Sequence, residues 1–172
     1  MEIRLHDLPF AIDPNDPRDV VEAIEALVKN LDECAPRFRR FMERCCEPLL
    51  GSFPSDAAAW YATALEYRHG RVSAAELTEA RRAAWQMSDA LERQIRTDPS
   101  NQVLRQQNSA VRAVICLLFP DEARHTDWVF AVDLFADWCN SFQQNREDQA
   151  RWLWDAFADI LGPRPIHPEG ER

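Results

Sequence analysis

Ala110-Val-Arg-Ala-Val-Ile-Cys-Leu-Leu-Phe119 is apolar on nearly every face of a helical wheel, interrupted only by Arg112. A helix that is greasy all round has to be surrounded by others. The residues before it are wet: Asn101, Gln102, Arg105, Gln106, Gln107 and Asn108. Asp98-Pro99 offers a capping residue and then the helical position that best tolerates proline. Pro120 stops the run. Residues 99–119 therefore read as the buried central helix of an all-α, single-domain bundle of about seven helices.

The flanking chain supplies the wrapping helices. Residues 1–15 read as an N-terminal arm with Leu5, Leu8, Phe10 and Ile12 as anchors. Asp16-Pro17 opens a helix whose Val20, Ile24, Leu27, Val28 and Leu31 share one face. Pro36 opens the next, with Phe38, Phe41, Met42, Cys45 and Leu49 inward. Arg37, Arg39, Arg40 and Arg44 cover its remainder, a basic cluster that reads as a set of partners for acidic neighbours. Ser55 is placed to cap a third helix that runs through His69, with Gly70 as its stop. Ser73-Ala-Ala-Glu76 is a capping box that opens a fourth, with Leu77, Ala80, Ala84, Ser88, Leu91 and Ile95 on one side.

After residue 120 the pattern resumes. Thr126 or Asp121 is placed to cap a helix carrying Trp128, Val129, Val132, Leu134, Phe135, Trp138 and Cys139. Its Asp133 and Asp137 are like charges four apart, which repel unless they face water or meet an arginine. Arg112 and the Arg37–Arg44 group are the candidates. Asn145 caps a last helix with Leu153, Trp154, Phe157, Ile160 and Leu161 inward. The all-helical domain thus spans 16–162, and 163–172 reads as a flexible C-terminal tail.

Composition narrows the function classes. The chain has 172 residues, a net charge of −9 and only 4 glycines, with a pI near 4.9. An acidic chain is a poor match for nucleic acid, whose phosphates call for a basic surface. No stretch reaches the roughly 20 apolar residues of a membrane span. The N-terminus lacks the apolar core of a signal peptide. The five cysteines, Cys34, Cys45, Cys46, Cys116 and Cys139, have no metal-type spacing and read as reduced thiols of a cytoplasmic protein.

Signals of catalysis are sparse. There is no Gly-x-Ser-x-Gly elbow and no phosphate-cradling glycine loop. One doublet stands out: Glu66-Tyr-Arg-His69 and Glu122-Ala-Arg-His125 both read Glu-x-x-His. Helical di-iron bundles use two such motifs, because residues three apart lie on one helix face. Glu66, His69, Glu122 and His125 are thus the alternative, metal-binding site. In such bundles both motifs sit mid-helix, whereas His69 falls at a helix end.

Six tryptophans are many for this length. Trp60, Trp85, Trp128, Trp138 and Trp154 lie on or beside apolar faces and read as core. Trp152 points away from the apolar face of the last helix, beside Asp148, Asp155 and Asp159. A tryptophan among outward acids is the chemistry of an interaction hot spot, so these four residues are the candidate partner-binding site.

The stretch Gly70-Arg-Val-Ser-Ala-Ala-Glu-Leu-Thr-Glu-Ala-Arg-Arg-Ala-Ala-Trp85 resembles one that recurs in small all-helical bacterial proteins proposed as immunity proteins of toxin systems. The resemblance covers about a tenth of the chain and carries over no functional residue. It implies an all-α fold and a non-catalytic role, neutralising a toxin by binding it. Residues and resemblance together lead to an acidic, cytoplasmic protein-binding module without cofactor. The rivals are a di-iron-like bundle enzyme and a regulatory or structural homodimer that buries the greasy face of Trp128–Cys139.

Overall fold

The oily stretch is indeed enclosed. In the computed structural model, which describes residues 5–119, 128–141 and 144–165, Val111, Val114 and Leu118 have no solvent exposure and Leu117 has 1 %. They belong to α5 (Gln102–Leu117), with Leu118 as its C-cap. Around it stand α1 (Pro17–Leu27), α2 (Ala35–Cys46), α3 (Ser55–Arg68), α4 (Ala74–Thr97), α6 (Trp128–Asn140), α7 (Arg146–Ala156) and the single turn α8 (Ala158–Leu161). There is no strand among the described residues. α5 packs against α2, α3, α4 and α6, and α1 closes the far side against α6, α7 and α8. The protein is an all-α bundle.

Local chemistry sets most helix ends. Asp16 accepts from the backbone N–H of Arg18 and opens α1. Ser73 and Glu76 close the capping box of α4 reciprocally, and Asn145 accepts from Glu147 N–H to open α7. α3 stops at a Schellman turn: Gly70 N–H reaches the Tyr67 carbonyl and Arg71 N–H that of Glu66, both at 2.9 Å. That turn needs a left-handed residue, and Gly70 sits at φ +70.

Several expectations are corrected. The central helix starts at Gln102, not Pro99, because Asp98 N–H still bonds the Gln94 carbonyl and ends α4. Asn101 then caps α5 by accepting from Leu104 N–H. Ser55 is the first residue of α3 and makes no side-chain cap. The expected last helix breaks at Phe157 into α7 and α8, so the helices number eight among the described residues. In the arm, Leu5, Leu8 and Ile12 pack on the core, but Phe10 is 42 % exposed. The start of the tail is pinned, with Arg164 donating to the Pro14 carbonyl and to Asn15 Oδ1. Residues 166–172 and the candidate caps Asp121 and Thr126 lie outside the described residues. No helix among the described residues is long and apolar enough to cross a membrane.

Candidate functional site

The candidate acids Asp148, Asp155 and Asp159 lie along α7 and α8, which run beside the arginines of α2. Arg37 grips Asp159 with two parallel hydrogen bonds, of 2.5 and 2.9 Å. Those bonds hold the Asp159 carboxyl below its ordinary range. Arg44 lies 3.6 Å from Asp155, and its guanidinium also covers Trp152, 5.6 Å from the ring centroid. Asp148 pairs with Arg151 of its own helix at 2.6 Å. Trp152 is consequently half-buried. The basic cluster and the acidic stripe, quoted as separate features of the sequence, thus face each other across one seam.

The other acids of the domain are matched less evenly. Arg146 sits at the start of α7 and meets three carboxylates: Asp16 at 3.0 Å, Asp133 at 3.2 Å and Asp137 at 2.7 Å. Neither Arg112 nor the α2 arginines reach Asp133 or Asp137, contrary to expectation. Arg18 is nearby but pairs with Glu22 at 3.2 Å. Arg18 also acts on Asp133 and Asp16 through space, so with Glu22 counted four carboxylates face two arginines and the corner keeps a net charge of −2.

The metal-type motif is dispersed. Glu66 gives both carboxylate oxygens to Arg71 across the Schellman turn, and those hydrogen bonds hold its carboxyl below the ordinary glutamate range. His69 is the exposed C-cap of α3. Glu122 and His125 lie outside the described residues. No group of three or more metal-type side chains among the described residues is arranged to hold an ion.

A cavity of about 290 Å³ opens between α4, α5 and α6. Trp85, Trp128, Trp138, Phe119 and Phe130 bring five aromatic rings to its wall. Three of these are among the most exposed large apolar side chains of the described chain: Phe130 at 64 %, Trp85 at 41 % and Phe119 at 40 %. Trp85 and Phe119 are therefore not core, as their apolar neighbourhoods in sequence suggested. Phe119 lies beyond the last turn of α5, and Trp85 meets α6 only across Arg112.

One arginine ties this wall together. Arg112 lies between the rings of Trp85 and Trp138, 5.9 and 5.1 Å from their centroids. Its Nε donates to Ser88 Oγ at 3.2 Å, and its Nη2 pairs with Glu92. Ser88 in turn donates to the buried Asn108 Oδ1 at 2.8 Å. This polar ladder fixes the register of α4 on α5, where an apolar interface alone would allow slippage. Sequence reasoning missed it, although Ser88, Asn108 and Arg112 at core positions were its visible trace.

The thiols gather as well. Cys46, Cys139, Cys45 and Cys116 lie close enough to act on one another electrostatically. Cys116 lines the cavity, and burial pushes its thiol up to about 12. All five cysteines are free. No protein-family model, curated protein or solved structure matches the chain.

Proposed function

We propose that the chain is a non-catalytic protein-binding module whose acidic surface engages a basic site on a partner protein, most concretely a toxin that it neutralises. The observation that carries this reading is the corner at Arg146, where three carboxylates converge on one guanidinium. Packing three like charges around a single counter-ion is costly unless the excess serves a second cation. A lysine or arginine from a partner would supply it. The net charge of −9 adds long-range steering toward such a partner. The resemblance of residues 70–85 to immunity proteins goes the same way, as does a cytoplasmic setting in which five thiols stay reduced. The α7–α8 residues Asp148, Trp152, Asp155 and Asp159 remain part of the proposed face, as its arginine-neutralised flank.

The test is co-purification with the products of adjacent genes, followed by association kinetics at low and high salt. The expected result is a basic partner whose on-rate falls at least tenfold between about 50 and 300 mM salt, and falls again in Asp137→Lys. Binding that ignores both salt and Asp137→Lys would sink the reading, as would the failure of every neighbouring product to bind.

A further inference from the structure

We infer that the cavity between α4, α5 and α6 is a binding site for a small planar aromatic carboxylate. Three independent features of its wall lead there, and none of them involves the Arg146 corner.

The first is shape and surface. A volume of about 290 Å³ lies at the lower end of ligand pockets, which are mostly apolar and often sit between helices of a bundle. Indole and phenyl rings from α4, from α6 and from Phe119 just past α5 line it, together with Met42 of α2. Flat rings favour a flat guest, by offset stacking and edge contacts.

The second is an orphaned donor. Trp128 is 4 % exposed, lines the cavity and stacks on Phe38 at 4.8 Å. Its Nε1–H has no acceptor among the described residues. Burying an indole N–H without a partner is unfavourable, and tryptophans in cores usually find one. An acceptor brought by a guest would satisfy it.

The third is charge. Among the described residues that line it, the charged side chains are Arg39 and Arg112. Arg39 donates to the Phe119 carbonyl at 2.7 Å. Arg112 is held by Ser88 and Glu92 through Nε and Nη2, which leaves Nη1 without a hydrogen bond to the described residues. Arg112 thus brings a charged N–H donor to the cavity wall. It fits an anionic acceptor head on an apolar ring body. Glu92 tempers the field of Arg112, so a single carboxylate fits better than a more highly charged group such as a phosphate.

The experiment is calorimetric titration of the full chain with 2-naphthoate, and with 2-naphthylmethanol as its uncharged counterpart. The expected result is one site for the carboxylate and at least tenfold weaker binding of the alcohol. Ala131→Trp fills the cavity and should abolish binding with the helical circular dichroism unchanged. Trp128→Phe keeps the ring, removes the N–H and should weaken the carboxylate by about tenfold while leaving the alcohol nearly unaffected. Should both variants misfold, the wild-type contrast between carboxylate and alcohol decides. The inference is overturned by no saturable binding up to millimolar concentration, by equal affinity for the two compounds, or by a folded Ala131→Trp that binds as well as wild type. It is also overturned if light scattering finds a dimer that Ala131→Trp disperses, since the rings would then serve a second copy of the chain.

Discussion

The seam between α2 and α7–α8 and the corner at Arg146 are built from the same two side-chain types in different proportion. At the seam each aspartate has its own arginine: Asp159 has Arg37 and Asp155 has Arg44. At the corner one arginine serves Asp16, Asp133 and Asp137. The solvent differs too. Arg37 and Asp159 keep 38 % and 62 % of their side-chain surface, whereas Arg146 and Asp133 keep 28 % and 29 %. The seam is thus neutral and wet, and its pairs are individually weak. The corner is charged and half-dry, so its one cation matters more. Two acidic regions of similar composition teach different lessons: one is consumed by the fold, and the other leaves charge over.

Arg146→Met should separate them most sharply. It leaves three carboxylates facing one another with no direct ion pair among the described residues and only Arg18, already paired with Glu22, nearby; two of them are less than half exposed. A loss of about 1–3 kcal/mol is expected, below the 3–5 kcal/mol of a fully buried broken pair because water still reaches the site. Urea unfolding measures it, and added salt should restore part of the loss by screening the repulsion. The contrast breaks if Arg146→Met costs no more than Arg37→Met measured beside it.

The corner also marks where the sequence stops being readable. Burial of Val111, Val114 and Leu117, the capping box at Ser73 and the glycine stop at Gly70 were legible, because each is settled within a few residues by helical periodicity or a local hydrogen bond. Asp16 and Arg146 are 130 positions apart. Which arginine meets Asp133 and Asp137 depends on how α1, α6 and α7 are rotated against one another, and no short-range pattern encodes that. The basic cluster on α2 and the acids on α7–α8 were each visible, but not that the two lie in register. Phe119 and Trp85 were misplaced for a related reason. Both continue an apolar pattern, yet the pattern outlasts the surface that can cover it. Pro99 misled because Asp98-Pro99 has the chemistry of a helix start, while Asp98 was already committed to closing α4.

A middle-sized effect probes the seam itself. Trp152 is half-buried, with Arg44 over its ring at 5.6 Å. Trp152→Ala should cost about 1–2 kcal/mol, combining partial loss of apolar burial with a cation–π contact worth about 0.5–1 kcal/mol at an exposed site. Thermal unfolding reads it. Trp152→Phe should recover most of that loss if ring burial dominates. If instead Trp152→Ala costs nothing in the isolated protein but abolishes partner binding, the ring belongs to the interface and the seam is less closed than its ion pairs indicate.

The smallest effect tests the Asp159 pair through pH. Arg37 holds the folded-state carboxyl below the ordinary aspartate value, near 3.9 in an unfolded chain. Such a group binds its proton more readily when unfolded. Its contribution to stability is therefore fully present above about pH 4 and is lost as pH falls through the lowered folded-state value. With 62 % of the Asp159 side chain in water, the contribution is only about 0.2–1 kcal/mol. Arg37→Gln should remove it, so wild type and variant differ by that amount at pH 6 and converge near pH 2. A gap that widened on acidification would mean that Arg37 stabilises the fold by something other than its grip on Asp159. The guanidinium lies 5.5 Å from the centroid of the buried Phe157 ring, and that contact does not titrate. A constant gap across the whole range would assign the stabilisation to the ring rather than to the carboxylate.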